Sequence, residues 1–306
     1  MKRKLQLLAL VPALLLATGC EVLDMIKKPK DNKEAESVNV IILSGQSNAA
    51  GCKASARIIN SMGQEKYDEY FDGYEGIKIS FSNWSVNYEN PNRPKYRENY
   101  SEDGEFVPVK LGYGNTIYNF GPEVGMAEEL HEKWANKLYI IKVPCGASNL
   151  NDDWADQNEE MFKTLCTYVD DRMEDLKEAG FAPKLRAFCW MQGEGDSYDH
   201  YWQYYYDNLV RFKGNLDKRL LKYTEDNNLP FIDAGIGAGE GEWVYYQEVN
   251  DCKKDFAKLK PTNIYFDTIE AGLHSNQEPN DNVHYDSESQ IKLGHLFAQN
   301  FEQFLK

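Results

Sequence analysis

From about residue 36 onward, apolar strand-like runs alternate with amphipathic helix-like stretches. That alternation is the pattern of a parallel sheet covered by helices on both faces. The first run, 38–44, is β-branched and apolar on both sides, as in a strand buried within such a sheet. Further strands are expected at 137–143, 185–191, 230–234 and 263–266, giving about five with right-handed crossovers between them. Gly121-Pro122 opens a helix to 134, with proline at the first helical position. Other helices are expected at 161–176, which Gly180 stops, at 198–222, more weakly at 244–259, and at 287–304. The stretch 52–120 breaks the alternation. It is rich in Tyr, Asn, Gly and charge, with one strand-like run at 77–81, and reads as a partly ordered insertion over the sheet edge.

The chain opens Met1-Lys2-Arg3-Lys4, continues apolar over 5–17 and reaches Thr18-Gly19-Cys20. A basic start, a short greasy middle and small residues at the cut are a secretory signal over 1–19. The apolar stretch falls short of the roughly 20 residues a membrane span needs. A cysteine directly after the small residues resembles a bacterial lipobox. Export is therefore expected, with lipid on Cys20 anchoring the chain to the outer membrane at its periplasmic or surface face. The alternative is a plain signal followed by a chance cysteine. Residues 20–36 are polar, hold Pro29 and read as a tether, leaving 37–306 for one sizeable domain. Losing Lys2, Arg3 and Lys4 takes the formal charge from −15 to −18. Such an acidic chain excludes nucleic acid and anionic membrane surfaces as natural partners. Beyond Cys20 the cysteines are Cys52, Cys145, Cys166, Cys189 and Cys252, an odd number with no C-x-x-C spacing. Neither a disulfide framework nor a zinc site is signalled, and no metal or other cofactor is expected.

The first strand runs into Ser44-Gly45-Gln46-Ser47-Asn48-Ala49-Ala50-Gly51. Gly45 permits a tight turn, and the small residues after Asn48 let the backbone pass close to whatever sits above Ser47. A turn of this kind lifts a side chain off the C-terminal edge of the sheet, where open α/β sheets place ligands. An ordinary loop serine has the same local sequence, so partners matter. Of five histidines, His284 lies in Asp281-Asn282-Val283-His284, just before the last helix. An acid three residues ahead on a turn reaches Nδ1 and leaves Nε2 to take a proton from a serine. Gly146 follows the second strand with a backbone N–H at close approach, and Gln192 follows the third with an amide donor. Glu194 and Asp196 then brace that loop. Each of these, taken singly, also reads as a glycine-rich connection with solvated acids.

Together these motifs resemble a known group. Gly45-Gln46-Ser47-Asn48-Ala49-Ala50-Gly51, Phe120-Gly121-Pro122-Glu123, Gly146, Trp190-x-Gln192-Gly193-Glu194-x-Asp196 and Asp281-x-x-His284-Tyr285 stand in the order seen in sialate O-acetylesterase-like proteins. That group includes the acetyl xylan esterases of carbohydrate esterase family 6, within the SGNH hydrolase superfamily. The resemblance implies a three-layer α/β/α sandwich of flavodoxin-like type, with Ser47 as nucleophile, His284 as base and Asp281 orienting it. It also implies an oxyanion hole from the N–H groups of Ser47 and Gly146 and the Gln192 amide. Gln46, Asn48 and Glu194 are candidates for substrate binding or loop bracing. Ala49 stands where the group usually has methionine and Cys145 where it often has a second glycine, which bears on substrate fit.

The implied activity is removal of O-acetyl groups from sugars, most readily plant polysaccharide such as xylan, with sialic acid as the alternative substrate. Arg93, Lys95 and Arg97 offer a local anion site that would suit the latter. A non-catalytic glycan-binding lipoprotein is the rival from another class. Tyr70, Tyr74, Trp84, Tyr88, Tyr96 and Tyr113 would serve it by stacking on sugars. A lipase or thioesterase would need a long apolar stripe, and 52–120 holds none. Nothing in the sequence signals an oligomeric state.

Overall fold

The computed structural model describes residues 35–198, 200–275 and 281–306. The signal segment, Cys20 and nearly all of the tether lie outside the described residues. β1 (Glu36–Gly45) is buried from Val38 onward, as its two-sided apolar pattern demands. It lies between β7 (Leu138–Gly146) and β8 (Phe181–Met191), parallel to both, with Ile42 opposite Ile141 on one side and Phe188 on the other. β9 (Phe231–Ala234) and β10 (Asn263–Phe266) extend the sheet beyond β8.

The sheet has eight strands, not about five, and the difference lies in 52–120. β2 (Lys53–Ala54) and β6 (Asn119–Phe120) pair as a small separate ribbon. β3 (Tyr74–Val86) joins the main sheet parallel to β7, and β4 (Lys95–Tyr100) and β5 (Val107–Val109) pair antiparallel to β3. This stretch therefore completes the sheet and is no insertion lying over it. β4 escapes a hydrophobic-pattern reading because it is an edge strand, Lys-Tyr-Arg-Glu-Asn-Tyr, with no buried residue. Charge on an edge blocks further pairing and also removes the strand signal.

The helices are α1 (Ser47–Ala50), α2 (Arg57–Met62), α3 (Gln64–Asp72), α4 (Glu123–Trp134), α5 (Leu150–Asp153), α6 (Glu160–Glu178), α7 (Glu194–Tyr198), α8 (Tyr205–Leu220), α9 (Tyr246–Ala257) and α10 (Ser287–Phe301). The expected helix at 198–222 is divided into α7, a 3₁₀ turn at His200–Tyr204 and α8. Aromatic residues through 201–206 carry an apolar signal across that break. α6 lies against β7 and β8, and α10 packs on α4. The α4–α10 contact is close because glycines meet there. A Cβ on Gly125 would lie 2.0 Å from the Ile291 carbonyl oxygen, and one on Gly294 would lie 2.1 Å from that of Pro122. The result is an α/β fold whose central, largely parallel sheet is flanked by helices. Successive connections leave β1 toward β7 on one side and reach β8 on the other, so a crevice opens over the C-terminal end of β1.

Candidate active site

Ser47 stands in that crevice as the first residue of the one-turn helix α1. Gly45, at φ +140°, makes the turn, and any Cβ there would lie 1.9 Å from the Met191 carbonyl oxygen. The end of α1 is fixed from beneath. Lys142 on β7 is fully buried, and its ammonium donates to the carbonyls of Ala50 (2.8 Å) and Tyr113 (2.9 Å) and to Glu123 Oε2 (2.7 Å). Glu123 Oε1 accepts the Gly121 N–H at 3.0 Å. A buried ion pair with every donor used is stable in place, whereas either partner alone is costly.

The loop before α10 carries His284. Its Nδ1 lies 2.9 Å from Asp281 Oδ1, which also accepts the His284 backbone N–H at 3.2 Å. Lys53 donates to Asp281 Oδ2 at 3.3 Å. Burial works against the Asp281 carboxylate, but His284 and Lys53 outweigh it and hold the pKa well below the usual range. Burial also disfavours a charged imidazole. The Asp281 carboxylate at Nδ1 works against that, and the His284 pKa is raised. Cys52 lines the same cleft and donates its thiol to the Ser47 carbonyl at 3.5 Å. The sequence reading missed this residue, because a lone cysteine between α1 and β2 has no motif around it.

Gln46, Asn48 and Glu194 serve as braces. Asn48 Nδ2 donates to Glu194 Oε1 at 2.8 Å, and its Oδ1 accepts the Tyr285 N–H at 3.1 Å. The residue after Ser47 is thus tied to the residue after His284. Gln46 Oε1 accepts the N–H groups of Gly193 (3.3 Å) and Gly195 (3.1 Å), closing the loop after β8 onto the Ser47 turn. Burial raises the pKa of Glu194, which has one carboxylate oxygen unpartnered among the described residues.

Gln192 does not sit where an oxyanion donor must. It is fully buried and outside the cleft lining, and its amide donates to Asp196 Oδ2 (2.6 Å) and Gln46 Oε1 (3.3 Å). Both amide hydrogens are engaged, so it braces the loop alongside Asp196, whose pKa burial pushes up to about 7. Gly146 does line the cleft with Ser47 and His284, and no acceptor for the Ser47 N–H is found among the described residues.

The cleft encloses about 670 Å³. Of the aromatic residues singled out in 52–120, only Tyr88 faces it, 69% exposed; Tyr70 and Tyr74 are buried in the core, and Tyr113 stacks on Phe81. Tyr198 and Trp243, which meet edge-on at 6.4 Å, form another wall that the sequence reading did not find. Arg93 lines the cleft at φ +46°, held by the buried Asp153 at 2.7 Å. Lys95 shares Asp153 at 2.9 Å, while Arg97 lies elsewhere.

Comparison with known proteins gives the chain a family and its fold several relatives. A probable carbohydrate esterase of Arabidopsis thaliana is 23% identical over 205 residues, covering 65% of this chain and 70% of the relative. The X-ray structure of an Arabidopsis thaliana protein superposes with TM-score 0.57 at 20% identity, covering 88% of this chain and 99% of that one. The crystal structure of NanS gives TM-score 0.61 at 12% identity, over 89% and 98% of the two chains. A carbohydrate acetylesterase from Xanthomonas citri gives 0.51 at 17% identity, over 87% of this chain and 56% of that longer one. At these identities the structural likenesses establish the fold. Residues 37–303 match the family described as carbohydrate esterase, sialic acid-specific acetylesterase. The chain belongs to that family and is a carbohydrate acetylesterase.

Proposed function

We propose that the chain cleaves sugar O-acetyl esters through an acyl-enzyme on Ser47, with His284 as base and Asp281 as its orienting partner. The observation that carries this reading is that His284, bonded at Nδ1 to Asp281 at 2.9 Å, lines the same cleft as Ser47. Nε2 takes the Ser47 proton as the hydroxyl oxygen attacks the acetyl carbonyl. The N–H groups of Ser47 and Gly146 hold the oxyanion, the sugar alcohol leaves with the proton from His284, and water then releases acetate. Asp281 keeps Nδ1 protonated throughout.

Acetylated plant polysaccharide such as xylan is the proposed substrate. A chain at −15, or −18 without Lys2, Arg3 and Lys4, repels anionic sugars at low ionic strength. Sialic acid is the second reading, favoured by Arg93 in the cleft wall and by the family description. The basic and apolar N-terminal sequence ending at Cys20 supports export and lipid attachment there. Acetate release from acetylated xylan and from acetylated sialic acid separates the substrates. Faster turnover of the sialoside reverses the order proposed. Ser47→Ala and His284→Ala each leave only the residual rate that binding and the oxyanion donors provide, with the fold retained by circular dichroism. Substantial turnover by Ser47→Ala refutes the nucleophile.

A further inference from the structure

Adjacent residues on a strand face opposite ways, and the hairpin of β3 and β4 uses both faces. Ser85 and Glu98 line the cleft, whereas Ser82, Trp84, Arg97 and Tyr100 line a second hollow of about 590 Å³, closed on its other side by α6. Arg97 is set in position there. Its guanidinium lies 3.8 Å from the Tyr100 ring centroid, and its Nε donates to Ser82 Oγ at 2.9 Å. The same hydroxyl accepts the Trp84 indole N–H at 2.9 Å. Among the described residues, no carboxylate pairs with Arg97, and its remaining N–H groups find no acceptor. Across the hollow on α6, Lys163 also has no carboxylate partner among the described residues. Arg172 is taken up by Asp175 at 2.6 Å and lies 5.0 Å from the Tyr168 ring. Asp103 and Asp171 are the hollow's own carboxylates; with Arg172 neutralised by Asp175 they balance Arg97 and Lys163. The hollow is thus locally neutral within a chain at −15, and Arg97 keeps its guanidinium fork without a carboxylate among the described residues.

We propose that this hollow is a second, non-catalytic site that binds a carboxylate-bearing stretch of a polysaccharide. A planar guanidinium fixed on one edge presents a fork matched to a carboxylate. The ring faces beside it suit the apolar face of a sugar, and Asp103 and Asp171 accept sugar hydroxyls. Cleft and hollow are two sides of one hairpin. A strand held in the hollow therefore raises the concentration of its own acetyl groups near Ser47. The choice of a sugar ligand rests on the carbohydrate esterase reading above, but the test does not depend on turnover.

The test measures binding of the chain to glucuronoxylan and to the same polymer with its carboxyl groups reduced, by affinity electrophoresis at low and high salt. The chain binds glucuronoxylan more tightly than the reduced polymer, and added salt removes the difference. Arg97→Ala/Lys163→Ala weakens glucuronoxylan binding about tenfold or more, the size of a lost charge-assisted contact. Arg97→Lys keeps the charge but not the fork and loses part of the effect. Turnover of 4-nitrophenyl acetate stays at the wild-type level in both variants. Equal binding of the two polymers by the wild-type chain, or unchanged binding by the double variant, overturns the proposal. Loss of small-ester turnover in Ser47→Ala reports on the cleft alone, so failure of one reading leaves the other's result standing.

Discussion

At the scale of single residues, the cleft shows why a spacing can be read and a distance cannot. Asp281 three residues before His284 is a local arrangement, and the turn delivers it to Nδ1 at 2.9 Å. Gln192 sits at the right strand end, yet its neighbours take both of its amide hydrogens. Only the packing of Asp196 and Gln46, contributed by different loops, reveals that. Gln192→Ala should therefore destabilise the fold by about 1–3 kcal/mol through stranded partners, while kcat per folded molecule falls well short of the ~10²-fold of a lost oxyanion donor. Chemical denaturation and kinetics on the same sample separate the two. Asp281 makes a second prediction. Its carboxylate, 2.9 Å from Nδ1, favours the charged imidazole, and only the neutral imidazole acts as base, so activity is lost as pH falls through the raised pKa of His284. Asp281→Asn removes that influence, and the acid limb of the residual kcat/KM should move to lower pH. A limb that stays in place excludes Asp281 from the electrostatics of the base.

At the scale of elements, the buried parallel strands and the long amphipathic helices declared themselves by period. β1, β7, β8 and β10 lie within a few residues of the expected runs. Of β3 only the central run at 77–81 showed in the sequence, and β4 did not show at all, since edge position and pairing partners are properties of the assembled sheet. The contact of α4 with α10 was equally hidden, because glycine within a helix carries no apolar signal. Gly294→Ala forces a methyl group against the Pro122 carbonyl and the Met126 N–H. Overpacking of this kind costs about 1–3 kcal/mol or more. Its effect reaches the site, because α10 begins just after His284 and its Gln290 side chain donates to the Asn48 carbonyl at 2.8 Å. Thermal melts of Gly294→Ala should show a lower Tm, and esterase activity should fail below the wild-type melting temperature.

At the scale of the whole molecule, the proposed lipid anchor at Cys20 can be tested directly. With Cys20→Ser, uptake of labelled fatty acid by the chain should disappear while acetylesterase activity of the folded protein stays. Labelling equal to wild type removes the lipid anchor from the proposal. The link from Asn48 to Tyr285 has a further consequence, in time rather than space. A ribosome delivers Ser47 long before His284, the base proposed to activate it. Since the two halves of the chemistry are fastened through one side chain, a half-made or clipped polypeptide holds a serine with nothing to arm it. On the proposed roles, reaction with a serine-directed phosphonate should therefore count chains made and folded through His284, and would gauge how many reach that point after each round of expression.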